Sequence, residues 1–279
     1  MKSFFIITNL SKDPELKITG ELEKYLKKKG CKFSTQVCEN KMETKGYTYT
    51  NPDTVPKGVE CVIVIGGDGT LLHAARDLVS KKLPMIGINS GKLGYLAEIE
   101  RNAIESTMER LINEAFQIET RMMLKGELVR DGEVIKTSIA LNDIILSRSG
   151  SLRIADYKVC INGQFLNVYS ADGIIVSTPT GATAYNLSAG GPIAQPSSSI
   201  MIMTPICAHT LNSRSIVFSE DAVIEIEMFK DKNVLAFDGD LKIDMVVGDK
   251  IVISKSELST KIIKLSSMSF LELLRKKMS

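Results

Sequence analysis

Tryptophan is absent from this 279-residue chain, and histidine occurs only at His73 and His209. Two histidines cannot build a His-rich metal centre, and no HExxH spacing occurs. The five cysteines, Cys31, Cys38, Cys61, Cys160 and Cys207, are odd in number, scattered and never spaced as CxxC. They indicate neither a disulfide framework nor a zinc site, and they suit a reducing compartment. Neither sign of charge is in excess: 35 Lys and Arg face 33 Asp and Glu. That balance leaves no general footprint for nucleic acid or an anionic membrane surface. No apolar run reaches the ~20 residues of a membrane-spanning helix, and the opening MKSFFIITNLSKDPEL meets charge early and reads as a first strand. The expectation is a cytoplasmic protein without nucleic-acid or membrane partners. Any metal must be held by oxygen ligands and phosphate.

What is present is an ordinary globular balance, 44% hydrophobic and 24% charged, in a chain long enough for two domains. Phe4 to Thr8 reads as a strand, Asp13-Pro14 as a helix start, and Leu22, Tyr25 and Leu26 follow at helical spacing up to Gly30. A second strand is expected from Cys31 to Cys38, followed by a polar loop, ETKGYTYTNPDTVPKG. CVIVI, Cys61 to Ile65, is the β-branched run of a strand buried on both faces of a parallel sheet. LLHAARDLVS then predicts a helix, LPMIGI a strand, and Ala103 to Ala115 a helix. Residues 1–116 therefore read as an α/β domain with a doubly wound, Rossmann-like sheet.

Beyond Gln117 short alternating segments are punctuated by Asp131-Gly132 and Asn162-Gly163, strong hairpin signals. Residues 117–266 read as a β-rich C-terminal domain whose one helical stretch lies near ATAYNLSAG. The tail, about 267–279, carries Phe270, Leu271, Leu273 and Leu274 with basic residues in its last turn, the pattern of a terminal amphipathic helix docked on the body.

The sharpest local feature is Gly66, Gly67, Asp68, Gly69 and Thr70, set where a buried strand ends and a helix begins. Ligands of open α/β sheets sit beyond the carboxyl ends of strands, and a helix N-terminus offers N–H groups to phosphate. Glycines let an anion approach the backbone, and Asp68 adds a carboxylate able to bind Mg²⁺ or take a hydroxyl proton. Thr70 offers a further hydrogen bond. A glycine-rich turn with Asp68 as a helix cap is the alternative. Two rival motifs fail: Leu72 occupies the last position of a GxGxxG, and Leu93 stands where a P-loop needs Ser or Thr.

A second unusual run, DGIIVSTPTGATAYNLSAGGPI from Asp172 to Ile193, surrounds one tyrosine and one asparagine with small and hydroxylated residues. Ser177, Thr178, Thr180, Thr183 and Ser188 suit hydrogen bonds to ribose or amide groups, and Tyr185 suits stacking on a flat ring. A purely structural, turn-rich segment remains open beside that reading.

GGDGT alone is similar to the phosphate loops of diacylglycerol- and sphingosine-type lipid kinases and of phosphofructokinases. TPTGATAYNLSAGGPI, together with NSGKLGYL, TPICAHTLNSRS and FLELLRKKM, resembles the NAD kinase family over nearly the whole chain. The resemblance implies NAD in a cleft, with the last helix packing back on the first domain. It implies transfer of the terminal phosphoryl group of ATP, or of polyphosphate, to the 2′-hydroxyl of the adenosine ribose, giving NADP. It gives Asp68 the role of base or positioning carboxylate, with Gly66, Gly67, Gly69 and Thr70 near the donor phosphates and Mg²⁺ carried by those phosphates, Asp68 being the one side chain that could join it. Asn142 and Asp143 match the family's ribose-binding pair; a turn cap is their alternative. Asp172 and the segment Thr183, Ala184, Tyr185, Asn186, Leu187 and Ser188 would contact NAD, with Ser170 and Asp238 among the nucleotide contacts.

His73 is either a phosphate contact or a partly buried helix residue, and Arg153 either a phosphate partner or a solvated surface charge. Ser170 and Ala171 stand where many members carry Arg then Gly or Ser, Asp240 where Gln is common, and Tyr95 and Ala208 where Phe and Pro are usual. The resemblance further implies a homodimer or homotetramer. Two other readings compete: a lipid or sugar kinase sharing the loop, and a catalytically silent nucleotide binder. The first is expected to lack ATAYNLSAGG, and the second to lack Asp68.

Overall fold

A computed structural model describes residues 1–39, 49–89, 94–97, 99–100, 103–149, 154–209, 214–229, 232–265 and 269–278. The chain divides into two compact units, Met1–Thr120 with Thr260–Ser279, and Arg121–Ser259.

The first unit opens with β1 (Ser3–Asn9), α1 (Lys17–Lys28) and β2 (Lys32–Cys38). The helix begins four residues after Asp13, yet Asp13 still governs its start. The Asp13 carboxylate accepts the N–H groups of Ile18 at 3.2 Å and Thr19 at 2.9 Å, satisfying donors that have no partner within the helix. Ile18, Leu22, Tyr25 and Leu26 then form the buried stripe that 3.6-residue periodicity dictates. After β3 (Cys61–Ile65) come α2 (Asp68–Asp77), β4 (Pro84–Asn89), the short β5 (Ile99–Glu100) and α3 (Ile104–Ile112). All five side chains of β3 are buried; each isoleucine there contributes roughly 1.5–3 kcal/mol by leaving water.

The strands run parallel in the order β2, β1, β3, β4. Because β2 lies on one side of β1 and β3 on the other, the chain reverses its winding between β1 and β3. A crevice opens at the carboxyl ends of strands at such a reversal, where ligands of doubly wound folds bind. Ile6, Ile63, Ile65, Ile86 and Ile88 face α1 and α3 in one core. On the opposite face, Leu71 of α2 approaches Gly87 of β4 closely.

The second unit contains β6 (Gln117–Arg130, entering from the first unit), β7 (Glu133–Ala140), β8 (Asp143–Arg148), β9 (Ala155–Ile161), β10 (Gln164–Ala171) and β11 (Gly173–Ser177). These are followed by α4 (Tyr185–Ser188), β12 (Ile200–Ile206), β13 (Ile216–Ser219), β14 (Ile224–Met228), β15 (Asn233–Phe237) and β16 (Leu241–Met245). The long β17 (Lys250–Lys264) closes the unit and carries the chain back into the first one, where α5 (Phe270–Met278) ends it.

One antiparallel sheet has the order β13, β12, β11, β8, β15, β16. A second set, β10, β9, β14, β17, is also antiparallel. Their alternating inward side chains, Ile144, Leu146, Ile174, Val176, Tyr157, Val159, Ile224 and Ile226 among them, share one core.

The hairpin signals have their physical cause in the backbone. Asp131 and Asn162 lie at φ 51°, each followed by a glycine at positive φ, the left-handed pair a two-residue primed turn requires. Asp238-Gly239 repeats the left-handed pair in the three-residue connection, 238–240, between β15 and β16. The helical stretch near ATAYNLSAG amounts to a single 3₁₀ turn, Gly181–Thr183, and the four residues of α4. Glycines and small hydroxylated residues there give little helical propensity to extend it.

Candidate active site

In the first unit the chain leaves β3 and turns directly into α2. Gly67 is the N-cap, in extended conformation and with no side-chain cap. An uncapped helix start of this kind presents N–H groups and the positive dipole end to an anion. A side chain at Gly66 would run into that of Thr70, so the glycine is needed for the tight passage from strand to helix. Thr70 is buried, and its Oγ1 accepts the Asn9 amide at 2.9 Å. The Asn9 Oδ1 is in turn fixed by the Ser11 N–H and hydroxyl at 3.0 and 2.7 Å. The end of β1 thus braces the loop that follows β3.

Asp68 is the first residue of α2 and does not cap it. Its carboxylate turns to the Gly94–Ala97 segment, where Oδ2 accepts the Tyr95 N–H at 2.7 Å and Oδ1 accepts those of Leu96 at 3.1 Å and Ala97 at 2.8 Å. Three consecutive backbone N–H groups form an anion-holding nest. A Cβ on Gly94 would fall on the Asp68 carboxylate, so the nest needs glycine at that position. Sequence reasoning singled out Asp68 and missed its donors, because a backbone N–H carries no residue signature; the glycine at 94 was the available clue.

His73 is buried in α2 and stacks on Tyr49, with ring centroids 5.1 Å apart and planes at 22°.

In the second unit a matching arrangement surrounds Asp238. Its Oδ2 accepts the Leu141 N–H at 3.0 Å, and its Oδ1 accepts those of Asn142 at 2.7 Å and Asp143 at 3.3 Å. The Asp238 N–H returns to the Asp143 carbonyl at 2.9 Å. Asn142, Asp143 and Asp238 are therefore brought together at the start of β8. The Asn142 carbonyl accepts the Thr178 N–H at 2.8 Å, while the Thr178 hydroxyl donates to the Leu141 carbonyl at 2.6 Å. Those bonds tie the STPTG turn to the same corner. Burial pushes the Asp143 carboxyl up to about 7, and the like charge of Asp238 adds to the shift.

The Thr183–Ser188 segment divides by residue. Tyr185, Leu187 and Ser188 are exposed, and Thr183 and Ala184 are half-buried. Asn186 is fully buried and acts as the brace of the turn. Its Nδ2 donates to the Ala182 and Pro192 carbonyls, both at 3.1 Å, and its Oδ1 accepts the Thr204 hydroxyl at 2.7 Å. Asp172 pairs with Arg148, Nε to Oδ1 at 2.7 Å, a partner the sequence did not suggest. Ser170 donates to Asp156 at 2.6 Å. Arg153 lies outside the described residues.

Two family models match the chain: residues 4–116 fit the ATP-NAD kinase N-terminal domain, and residues 141–265 the ATP-NAD kinase C-terminal domain. The chain belongs to the NAD kinase family. The NAD kinase of Lachnospira eligens is 45% identical over 293 residues, covering 100% of both chains. That of Lachnoclostridium phytofermentans is 39% identical, covering 99% of each. Among solved structures, yeast NADH kinase complexed with NADH aligns with a TM-score of 0.85 at 23% identity, over 100% of this chain and 87% of that one. An NAD kinase from Archaeoglobus fulgidus in complex with ATP aligns with a TM-score of 0.77 at 22% identity, over 98% of each. At those identities the two structures speak for the NAD kinase fold.

Proposed function

We propose that this member of the NAD kinase family phosphorylates the 2′-hydroxyl of the adenosine ribose of NAD, with ATP as donor, and that Asp68 is the group that orients and deprotonates that hydroxyl. As the chemistry of the family, phosphorylation of NAD to NADP is the reaction of this enzyme. The observation that carries the role of Asp68 is its placement: a carboxylate at the uncapped start of α2, beyond the carboxyl end of β3, gripped by three N–H groups.

In the step, the ribose 2′-oxygen attacks the terminal phosphorus of ATP and the bond from that phosphorus to the bridging oxygen breaks. ADP leaves, and the hydroxyl proton passes to the Asp68 carboxylate. Phosphoryl transfer asks a protein mainly for positioning and for charge stabilisation. The Gly66–Thr70 loop supplies N–H groups to the donor phosphates, and the nest from Tyr95 to Ala97 fixes the direction of the Asp68 oxygens.

Mg²⁺ belongs to this reading as the partner of the donor phosphates, whose charge it neutralises. Among the described residues no group of three His, Cys, Asp or Glu side chains is arranged to hold a metal. Oxygen-rich phosphates at a glycine loop fit an ion that keeps most of its ligands outside the protein. In the second unit Asn142, Asp143 and Asp238 are assigned to the ribose of NAD. What supports this is a buried carboxyl kept beside a second one, a costly pairing of the kind concentrated at working sites. Tyr185, Leu187 and Ser188, exposed on their turn, are assigned to its rings and amide.

Two coarser features complete the proposal. Phe165, Leu166 and Val168 are exposed on β10, whose one partner among the described strands is β9, and such an apolar edge supports a homo-oligomer. Five free cysteines support a cytoplasmic location; no described helix is long and apolar enough to cross a membrane.

The deciding assay incubates the purified chain with NAD, Mg²⁺ and ATP, with inorganic polyphosphate in a parallel tube, and measures NADP with an NADP-specific dehydrogenase. NADP is expected with ATP. Its absence with both donors would overturn the reading.

A further inference from the structure

A lysine was singled out by no motif, yet it shares the first unit with Asp68. β17 ends at Lys264, and its last residues lie in the parallel sheet, Lys261 opposite Pro84 and Ile262 opposite Met85 of β4. Side chains alternate across a strand, and paired residues of parallel neighbours point to the same face. Ile263 and Leu265 enter the core shared with α1 and α3. Ile262 and Lys264 therefore emerge on the opposite face, the one on which Gly87 of β4 meets Leu71 of α2 and Ala97. Ala97 is a donor of the nest that holds Asp68. Lys264 is thus half-buried on the face of the sheet that Ala97 covers. Burial draws its pKa down to about 8, while the charge of Asp68 acts in the opposite direction.

A half-buried cation is costly unless an anion compensates it, and the same holds for a carboxylate in a water-poor site. The geometry points to Lys264 as a positioning residue for the phosphoryl transfer: its ammonium offsets the charge of Asp68 from behind and keeps the carboxylate seated on the Tyr95–Ala97 N–H groups. This rests on the role given above to Asp68. Lys264 acts through that carboxylate and touches no reacting atom. Tyr95 and, across its ring, Lys277 of α5 at 5.3 Å belong to the same neighbourhood. Lys277 stays at the surface and does not substitute for the charge beneath.

The test is a double-mutant cycle of Asp68→Asn with Lys264→Met, read as kcat and KM for NAD on purified full-length protein, with Lys264→Arg and Lys264→Gln alongside. Lys264→Met is expected to lower kcat on the order of tenfold to a hundredfold, with KM for NAD within about threefold. Lys264→Arg, which restores the charge, should recover most of the loss, and Lys264→Gln should not. In the Asp68→Asn background the further loss from Lys264→Met should shrink to about twofold or less, because two groups that act as one unit are not additive. Equal losses in both backgrounds, or a Lys264→Met enzyme within twofold of wild type, would overturn the proposal. So would Met and Gln variants that both fail to fold, since the lysine would then serve the fold and not turnover. Full activity in Asp68→Asn alone would sink the reading of Asp68 itself, and this one with it. A strongly impaired but measurable Asp68→Asn with additive losses would sink only the lysine.

Discussion

Asp68 and Asp238 occupy the same kind of cradle in different company. Each carboxylate accepts three successive backbone N–H groups, Tyr95 to Ala97 for the first and Leu141 to Asp143 for the second. Asp68 interacts with the charge of the half-buried residue Lys264, whereas Asp238 interacts with the buried carboxyl of Asp143. One nest balances charge and the other concentrates it. The first suits a group that must stay anionic and aimed through a reaction. The second suits a site waiting for hydrogen-bond donors, such as ribose hydroxyls, to relieve it.

The sharpest way to break the comparison is to remove the charge at the first nest. Asp68→Asn keeps the shape but puts an amide nitrogen against a backbone N–H and cannot take a proton. A loss of about 10²–10⁴ in kcat is expected, with NAD affinity measured by equilibrium titration nearly unchanged. A kcat within tenfold of wild type would remove Asp68 from the chemistry. Gly94→Ala attacks the same nest without touching its charge. The added methyl would occupy the place of the carboxylate and force it off its donors, and a displacement of about 1 Å costs roughly 10² in rate. Stopped or steady-state turnover reads this directly. Unchanged turnover would show that the seating of Asp68 does not matter.

These two positions also mark how far the sequence could be read. The α/β first part, the β-rich second part and the terminal helix were legible because each rests on a local rule: the all-apolar CVIVI, the Asp-Gly and Asn-Gly turns, and the amphipathic FLELLRKKM. Asp68 was legible because glycines flank it at a strand-to-helix turn. The N–H donors of Tyr95 to Ala97, the lysine at 264 and the pairing of Asp172 with Arg148 were not, since each depends on residues distant in sequence meeting through the sheet. The bonds of the Asn186 side chain to Ala182, Pro192 and Thr204 were likewise not legible from its place in a polar run.

At the second nest the prediction concerns stability and pH. The Asp143 carboxyl titrates near 7 in the folded protein and near its ordinary value of 3.8 when unfolded. Between those values the folded state holds the extra proton. Stability from this group is therefore fully present below about pH 4, falls as pH rises, and is lost once pH passes 7. Asp143→Asn removes the titrating group. In urea unfolding without nucleotide, the variant should match or trail the wild type at pH 4.5 and exceed it at pH 8, the difference moving by on the order of 2–4 kcal/mol. A difference that does not depend on pH would mean that burial does not raise the Asp143 carboxyl. Weaker NAD binding by the same, more stable variant would show that the tension is kept for the ligand.

The smallest effect tests what braces the first nest from outside. Lys277 on α5 stands 5.3 Å from the centre of the Tyr95 ring, and Tyr95 supplies the shortest of the three bonds to Asp68. The second nest is held at the Asp238-Gly239 turn. A cation over an aromatic face at an exposed site is worth about 0.5–1 kcal/mol, which for a chain of this size moves Tm by about 1–3 °C. Lys277→Ala should lower Tm by that amount, Tyr95→Leu should lower it similarly, and the pair together should cost little more than either alone. Tyr95→Phe keeps the ring and should behave as wild type. If Lys277→Ala changes Tm but leaves kcat untouched, α5 holds the unit together without aiming the carboxylate. A parallel fall in kcat would make the last helix of the chain part of the device that points Asp68 at its substrate.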